Sequence, residues 1–281
     1  MTPSTAQHPG GNPPAAIILA AGKGTRMQSD LPKVLHEVGG RPMVCAVIDA
    51  CRAAGCSRIV LVVGYMHELV RQAVAACKAE GNWGSTSIEF AMQPEQLGTG
   101  HAVQCTRDHF LREAREPGHD VFVLAGDGPL IRSHTLNALL ELHRSTGSLA
   151  TLATSVIDDP AGYGRIVRDA ARGFSAIVEH KDATPAQRAI REINPSYYCF
   201  DVQSLFSTLL KVTPNAGSGE YYVTDVPGLL LRSGRRVELI DAVSPEDVLS
   251  INTPEQLAEV DRIYRSRLHS QPPRIGGKGA A

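Results

Sequence analysis

Three cationic side chains lie within eleven residues near the amino terminus, directly after a short apolar segment. The segment 15–19 reads AAIIL, which is typical of a buried parallel strand. It continues into small residues and glycines, whose backbone N–H groups can approach a ligand closely. Lys23, Arg26 and Lys33 then bring three positive charges to one loop. A strand that opens into such a loop is suited to hold a triphosphate.

Two common phosphate-binding loops do not fit this segment. The dinucleotide fingerprint Gly-x-Gly-x-x-Gly requires a third glycine where Met27 stands, and the spacing of a Walker loop is absent. Residues 19–27, followed by Leu-Pro-Lys at 31–33, instead match the nucleotidyltransferase signature without a gap. An ordinary basic surface loop would explain residues 22–24 alone, but it explains the whole block poorly.

An acidic residue follows a second predicted strand. Asp127 comes soon after the apolar run 121–124, in the sequence Gly-Asp-Gly. Because ligands of an open α/β sheet bind beyond the carboxyl ends of its strands, Asp127 is predicted to share one crevice with the cationic loop. A carboxylate there can bind Mg²⁺ together with phosphates and water. The alternative is an aspartate that only stabilises a turn.

A third element combines an amide with a glycine-rich turn. Gln93 follows a predicted strand at 87–92, and its side chain offers a donor and an acceptor to a nucleobase edge. Residues 98–100 read Gly-Thr-Gly within a predicted helix at 97–110, which predicts N–H groups facing a ligand at the positive end of the helix dipole. A simple N-capped helix would explain the same residues.

Further blocks extend the signature along the chain. With these blocks, the sequence resembles the sugar-nucleotidyltransferase family, in its N-acetylglucosamine-1-phosphate uridylyltransferase branch, over about residues 15–267. The blocks that carry the resemblance are 19–27, 30–36, 95–102, 162–166, 178–184, 192–194 and 219–225.

The resemblance implies a role for each matching residue. The implied catalytic residues are Arg26, Lys33 and Asp127. The implied nucleotide-binding residues are Leu19, Ala20, Ala21, Gly22, Lys33, Gln93, Gly98 and Thr99. The implied sugar-binding residues are Gly126, Gly164, Glu179, Asn194 and Asn252. Mg²⁺ would be the cofactor, held by Asp127 and Asn252.

The implied reaction is Mg²⁺-dependent transfer of UMP from UTP to N-acetylglucosamine 1-phosphate, which gives UDP-N-acetylglucosamine and pyrophosphate. Two sites depart from the family pattern: Ala125 replaces a tyrosine, and Pro195-Ser196 replaces Thr-Gly. Both are expected near the sugar, so another sugar 1-phosphate or nucleotide stays open, as does a nucleotide-sensing domain without turnover. The family's hexapeptide-repeat half is absent from these residues, so no acetyltransferase activity is expected.

The alternation of strands and helices predicts an α/β fold: a Rossmann-like, mostly parallel sheet with helices on both faces. Short strands after Asp158 predict a small antiparallel extension that includes a strand at 190–200, and a helix is predicted at 220–233. The predicted organisation is a disordered segment at 1–14, a nucleotidyltransferase domain at 15–268 and a flexible tail at 269–281.

The amino-acid composition limits the classes of partner that this protein is expected to bind. The net charge is −1 over 281 residues, which argues against a nucleic-acid or polybasic membrane surface. No apolar run approaches the roughly 20 residues needed to span a bilayer, and the first fourteen residues do not resemble a secretory signal. Six cysteines without a Cys-x-x-Cys pair predict buried thiols in a reducing cytoplasm. The expected partners are therefore UTP and a sugar 1-phosphate, and a homo-oligomer stays open.

Overall fold

The computed structural model describes residues 11–81 and 83–270. The strands of these ranges are β1 (Ala15–Leu19), β2 (Glu37–Val38), β3 (Arg41–Pro42), β4 (Arg58–Val63), β5 (Ser87–Met92), β6 (Asp120–Ala125), β7 (Ala150–Val156), β8 (Gly164–Arg168), β9 (Phe174–Val178), β10 (Glu192–Asn194), β11 (Tyr197–Asp201) and β12 (Val237–Asp241). The helices are α1 (Met43–Ala53), α2 (His67–Glu80), α3 (Thr99–Gln104), α4 (Ser133–Thr146), α5 (Pro185–Arg188), α6 (Val202–Leu209), α7 (Asp225–Arg232) and α8 (Pro254–Ser270). Most of the terminal segments predicted at 1–14 and 269–281, namely residues 1–10 and 271–281, lie outside the described residues.

One large sheet organises the protein, with strand order β5-β4-β1-β6-β11-β7-β10-β8-β9 and with β12 paired to β7. Strands β5, β4, β1 and β6 are parallel to one another. β11 runs antiparallel to both of its neighbours, β6 and β7, while β12 is parallel to β7. β8, β9 and β10 form the antiparallel extension. The predicted fold class, a mostly parallel sheet with a small antiparallel extension, is confirmed.

Helices cover both faces of the sheet. Strand β1 illustrates this arrangement. Its residue Ile18 packs into a core cluster with α1, α2 and α4, and its neighbour Ile17 packs into a second cluster with α3, α6 and α7. Successive side chains of a strand point to opposite faces, so a strand that is apolar throughout must be buried on both sides. The sequence run at 15–19 has this property.

A third apolar cluster fixes the last helix beside the first loop. Met27, Ile251 and Val260 are buried together in it, so the loop after β1, the segment before α8 and α8 itself share one small core. Within residues 11–81 and 83–270, none of the helices combines the length and apolar character that a membrane crossing requires.

Three predicted elements differ from the structure. The predicted strand at 190–200 is two strands, because the chain bends at Pro195 and Ser196 and β11 leaves the extension for the main sheet. The predicted helix at 97–110 ends at Gln104 and is followed by a separate 3-10 turn. The predicted helix at 220–233 begins only at Asp225, since the preceding backbone bonds to the loop around Gly98.

Candidate active site

Two adjacent cavities form a cleft at the carboxyl ends of the parallel strands. The larger has a volume of about 390 Å³ and the smaller about 230 Å³. Leu19, Gly22, Thr99 and Glu220 line both cavities, so the two volumes meet at the loop after β1. As the topology predicts, the loops after β1, β5 and β6 contribute to a single crevice.

A compact polar cluster lies at the larger cavity. The Lys33 ammonium donates hydrogen bonds to Asp127 Oδ2 and to Asn252 Oδ1, the latter at 2.7 Å. The Arg26 guanidinium donates to the same Asn252 oxygen, also at 2.7 Å. The side chains of Lys33 and Asp127 are only 14% and 22% exposed, so water screens this ion pair less than a surface pair. The structure thus brings together four residues from three parts of the chain that are far apart in the sequence.

Backbone contacts hold this cluster in place. The N–H of Ile251 donates to the Asp127 carbonyl at 3.0 Å, which ties the segment of Asn252 to the end of β6. Gly24 has a φ of 71°, and a Cβ there would lie 2.6 Å from the Cβ of Lys33. Only glycine allows the first loop to fold this closely over Lys33. Buried Met27 and Ile251 lie in the third apolar cluster, so this cluster holds the loop after β1 and the segment of Asn252 together.

The oxygen atoms of this cluster fit a magnesium ion. Asp127 and Asn252 each direct an oxygen at one cation, the Lys33 ammonium, so the two oxygens converge. Within the part of the chain that the structure describes, no group of three or more His, Cys, Asp and Glu residues could hold a metal. Mg²⁺ usually takes one or two protein carboxylate oxygens and completes its shell with phosphates and water. Two oxygens beside a cavity with room for phosphate groups match this preference.

The smaller cavity is lined by the amide side chains of Gln93 and Gln96 together with small and apolar residues and Glu220. Gln93 is 5% exposed, and its Nε2 donates to the Gly98 carbonyl at 3.1 Å, which fixes the side chain at the cavity wall. Gln96 Nε2 donates to the Ala21 carbonyl at 2.9 Å and so ties the loop after β5 to the loop after β1. This arrangement can form hydrogen bonds with the edge of a planar polar group.

The Gly-Thr-Gly turn packs against the segment before α7. Gly100 N–H donates to the Tyr221 carbonyl at 2.7 Å, and Tyr221 N–H donates to the Leu97 carbonyl at 2.8 Å. Val223 N–H donates to the Thr99 hydroxyl. The prediction that this turn presents free N–H groups to a ligand at a helix terminus was therefore wrong for Gly100. α3 has six residues, and the turn instead serves to dock another segment.

Replacing Gly98 with alanine is expected to destabilise the protein by about 2–3 kcal/mol. Gly98 has a φ of 98°, and a Cβ there would lie 2.5 Å from the Tyr221 carbonyl oxygen, so strain and a clash add together. Gly118→Ala is the control, because Gly118 has a φ of 81° but nothing within 4 Å of its Cβ position. Urea unfolding of both variants checks this. Equal losses would contradict the role of the contact with Tyr221.

The other end of the larger cavity carries Glu179. Its Oε1 accepts a hydrogen bond from the Thr224 hydroxyl at 3.2 Å. Burial raises the pKa of Glu179, and the bond from Thr224 offsets this only in part. Gly164 lies beside it, since a Cβ on that glycine would be 3.7 Å from both Glu179 Oε1 and Asn194 Cβ. Glu179, Gly164 and Asn194 therefore form one cluster.

The predicted residues do not all reach the cavities. Leu19, Ala20, Ala21, Gly22, Lys33, Gln93, Gly98, Thr99, Asp127 and Glu179 line one or both. Arg26, Gly126, Gly164, Asn194 and Asn252 do not line either. Gly126 N–H donates to the Leu19 carbonyl at 3.0 Å, and Asn194 is 4% exposed behind Tyr198.

Sequence reasoning missed several residues that line the cleft. These are Gln96, Lys181, Tyr198, Glu220, Tyr222 and Thr224. The Lys181 ammonium lies 3.1 Å from Glu220 and 5.1 Å from the centre of the Tyr222 ring, so it links two sides of the cleft. A signal was present in residues 219–225, which read Gly-Glu-Tyr-Tyr-Val-Thr-Asp and form one of the blocks that carry the resemblance.

Comparison with known families gives one match over most of the chain. Residues 16–197 match the MobA-like NTP transferase domain. A solved structure, "The Crystal Structure of UDP-glucose pyrophosphorylase complexed with UDP-glucose", is similar in fold, with a TM-score of 0.72 and 16% identity. That similarity covers 91% of this chain and 100% of the other.

Curated relatives are more similar in sequence. "Bifunctional protein GlmU" of Heliobacterium modesticaldum is 46% identical over 255 residues, which is 90% of this chain and 52% of that protein. The protein of the same name from Pelotomaculum thermopropionicum is 44% identical over 254 residues, again 90% of this chain and 52% of that protein. The chain thus spans about half the length of the curated relatives it matches.

Proposed function

The chain belongs to the MobA-like NTP transferase family, and on that premise we propose that it transfers UMP from UTP to N-acetylglucosamine 1-phosphate. The products are UDP-N-acetylglucosamine and pyrophosphate. The match to the family model and the 41–46% identity to proteins named GlmU support this proposal. The observation that carries it is the Lys33–Asp127–Asn252 cluster beside a two-part cleft.

The two cavities suit the two ends of such a product. The smaller cavity, with the fixed amide of Gln93, is proposed to take the uracil base. The larger cavity runs from Lys33 to Glu179, so it takes the phosphates at one end and the sugar at the other. Thr99 and Gly22 line both and are proposed to contact the uridine between them.

The proposed catalysis depends on the positive charges beside the phosphates and on the alignment of the two substrates. The oxygen of the sugar phosphate is already an anion, so it attacks the α-phosphorus of UTP without a general base, and the bond from that phosphorus to the bridging oxygen of pyrophosphate breaks. The Lys33 ammonium and the Arg26 guanidinium are proposed to bind the β- and γ-phosphates as negative charge builds on the leaving group. Glu179 holds the sugar, so the nucleophile stays aligned with the α-phosphorus.

Asp127 and Asn252 are proposed to hold Mg²⁺, because their oxygens already converge on a cation. When bound, the ion would supply charge neutralisation between phosphate groups. Lys33 must then exchange its present partners for phosphate oxygens, and its flexible stem permits this.

The test is pyrophosphate release from UTP, Mg²⁺ and N-acetylglucosamine 1-phosphate. Parallel reactions contain glucose 1-phosphate, or ATP, CTP or GTP in place of UTP. Release only with UTP and the amino sugar phosphate is the expected result, and Asp127→Asn prepared in the same way controls for contaminating enzymes. Release with a different pair would replace the substrate, whereas nucleotide binding without any release would favour the nucleotide-sensing alternative.

Glu179→Ala is expected to reduce the preference for N-acetylglucosamine 1-phosphate over glucose 1-phosphate. An unpaired group in a closed site costs about 1–3 kcal/mol, so losing this carboxylate is expected to lower kcat/KM for the amino sugar about tenfold or more. Steady-state kcat/KM for both sugar phosphates checks this, with Glu80→Ala, at an exposed position of α2, as the control. If the wild-type protein uses glucose 1-phosphate equally well, the sugar assignment is wrong, although nucleotidyl transfer would survive.

The thiols support a cytoplasmic location for this activity. All six cysteines are free, and all except the half-buried Cys105 are buried. Burial raises the pKa of the Cys45 and Cys199 thiols, so they stay protonated and unreactive.

A further inference from the structure

A buried tyrosine hydroxyl lies between the two segments that carry the proposed Mg²⁺ ligands. Tyr197 on β11 is 1% exposed, and its hydroxyl donates a hydrogen bond to the Asp247 carbonyl at 3.2 Å. Asp247 belongs to the segment that leads to Asn252. The same hydroxyl lies against the other segment, because a Cβ on Gly128, directly after Asp127, would be only 2.9 Å from its oxygen. One phenol is therefore placed to set the spacing between the two segments.

Ion pairs join the same two segments. Arg132, a few residues after Asp127, meets both carboxylate oxygens of Asp247, at 2.8 and 3.2 Å. Arg267 of α8 donates to this carboxylate and also to the Leu130 carbonyl, the latter at 3.3 Å. The Asp247 side chain is only 4% exposed, so water screens these charges weakly. Asp247 is therefore a fixed point to which the Tyr197 hydroxyl can be anchored.

The Tyr197 hydroxyl serves as a donor and has no direct access to substrate. Burial raises the pKa of Tyr197, and the negative charges of Asp127 and Asp247 raise it further, so the phenol keeps its proton. A backbone carbonyl only accepts, which gives the bond one direction. Tyr197 lines neither cavity of the cleft. Any effect of this hydroxyl on the reaction must therefore pass through the segments that it contacts.

We propose that Tyr197 is a positioning residue, whose hydroxyl sets the spacing between the segments of Asp127 and Asn252 and so keeps their oxygens convergent for one Mg²⁺. The inference rests on the proposed function and deepens it, since it names a residue that orders the ligands without touching the ion. Replacing residues that orient metal ligands typically weakens metal binding by about 10- to 100-fold. The bond from Ile251 N–H to the Asp127 carbonyl remains without the phenol, so the segments are loosened rather than separated.

Two substitutions test the spacing from opposite sides. Tyr197→Phe removes the hydroxyl and keeps the ring. Gly128→Ala presses a methyl group against the hydroxyl oxygen, whereas the nearest ring carbons lie 3.6 and 3.7 Å from that position, so the double variant removes the clash. Gly128 does not have a positive φ, so alanine adds no backbone strain there. Tyr65→Phe is the matched control, because the Tyr65 hydroxyl also donates to a backbone carbonyl, that of Asp30, at 3.3 Å.

Mn²⁺ serves as the probe for the metal site, since electron paramagnetic resonance measures its free concentration directly. It is titrated into each protein with and without UDP-N-acetylglucosamine, and into the sugar nucleotide alone as a blank. Asp127→Asn shows how much of the binding belongs to the proposed site. Tm and the Mg²⁺ concentration that gives half of the maximal rate of pyrophosphate release are measured for the same proteins.

Tyr197→Phe is expected to bind Mn²⁺ about tenfold more weakly and to need about tenfold more Mg²⁺ for half of its maximal rate. Tyr65→Phe is expected to match the wild-type protein in both measurements. Gly128→Ala is expected to weaken Mn²⁺ binding in the wild-type background and to add no further loss in the Tyr197→Phe background, since the hydroxyl that it meets is gone.

Wild-type Mn²⁺ affinity in Tyr197→Phe would overturn the inference, and a lowered Tm beside it would show that the hydroxyl serves stability alone. If Asp127→Asn loses Mn²⁺ binding in the same experiment, the proposed function survives that result. Equal further losses from Gly128→Ala in both backgrounds would also overturn the inference. A wild-type protein that neither binds Mn²⁺ nor releases pyrophosphate would overturn the proposed function, and the inference with it.

Discussion

Asp127→Asn is expected to lower kcat by about a thousandfold or more, with the fold intact. The carboxylate is both the proposed ligand of Mg²⁺ and the anionic partner of Lys33, and a metal supplies several kcal/mol of charge stabilisation in the transition state. Each 1.36 kcal/mol corresponds to a factor of ten in rate, so about 4 kcal/mol gives this loss. Pyrophosphate release at saturating substrates and over a range of Mg²⁺ concentrations measures it.

The fold of this variant is checked by its urea unfolding curve. Asp127 is partly exposed at the cavity, so its replacement should change the free energy of unfolding little. Asp30→Asn is the matched control, because Asp30 is an exposed carboxylate near the same cationic loop whose backbone carbonyl alone accepts a bond, from Tyr65. Near wild-type kcat in Asp127→Asn at saturating Mg²⁺ would remove the metal assignment.

Lys33→Ala is expected to lower kcat/KM by several hundredfold, since the loss of one preorganised donor to a developing anion costs about 3–4 kcal/mol. Pro32 precedes it with a φ of −50°, which limits the directions in which the amine can point. Lys33→Arg is expected to recover only part of the loss, because a planar fork cannot occupy the place of a compact ammonium. Initial rates at subsaturating UTP give the comparison.

The matched control for this cation is Lys23→Ala. Lys23 belongs to the same loop, but its ammonium lies 5.1 Å from the centre of the Tyr65 ring and contacts neither Asp127 nor Asn252. Its replacement is expected to leave kcat/KM nearly unchanged. If Lys33→Ala behaves like Lys23→Ala, the proposed role of the cationic loop in binding triphosphate is incorrect.

Apolar runs predicted the parallel half of the fold well. The strand predicted at 15–19 coincides with β1, because a strand buried on both faces is apolar throughout, and the strand predicted at 87–92 coincides with β5. β11 could not be placed in this way. Its apolar residues suit an extension strand and a central strand equally, and its antiparallel place between β6 and β7 depends on pairing partners distant in sequence.

The candidate site, like the fold, could be predicted from the sequence only in part. The loop of Lys33 and the turn of Asp127 carry local signals, because charge and glycine follow an apolar strand. Asn252 has no such signal, since it precedes a helix as many turn residues do, and only the resemblance pointed to it. The bonds that bring it to Lys33 and Arg26 are tertiary. Ser196 was noted as a departure, but its positive φ of 65° cannot be read from residue type.

The position of β11 has a consequence for how the chain is made. A ribosome delivers β1, β4, β5, β6 and β7 before residues 197–201, so the growing sheet holds two unpaired edges where β11 will insert. Unpaired edges are templates for pairing with other chains, and pairing distant strands is slow. Nascent chains that stop before residue 197 are therefore expected to aggregate. Synthesis beyond residue 201 lets β11 close the gap, and β12 then covers the far side of β7.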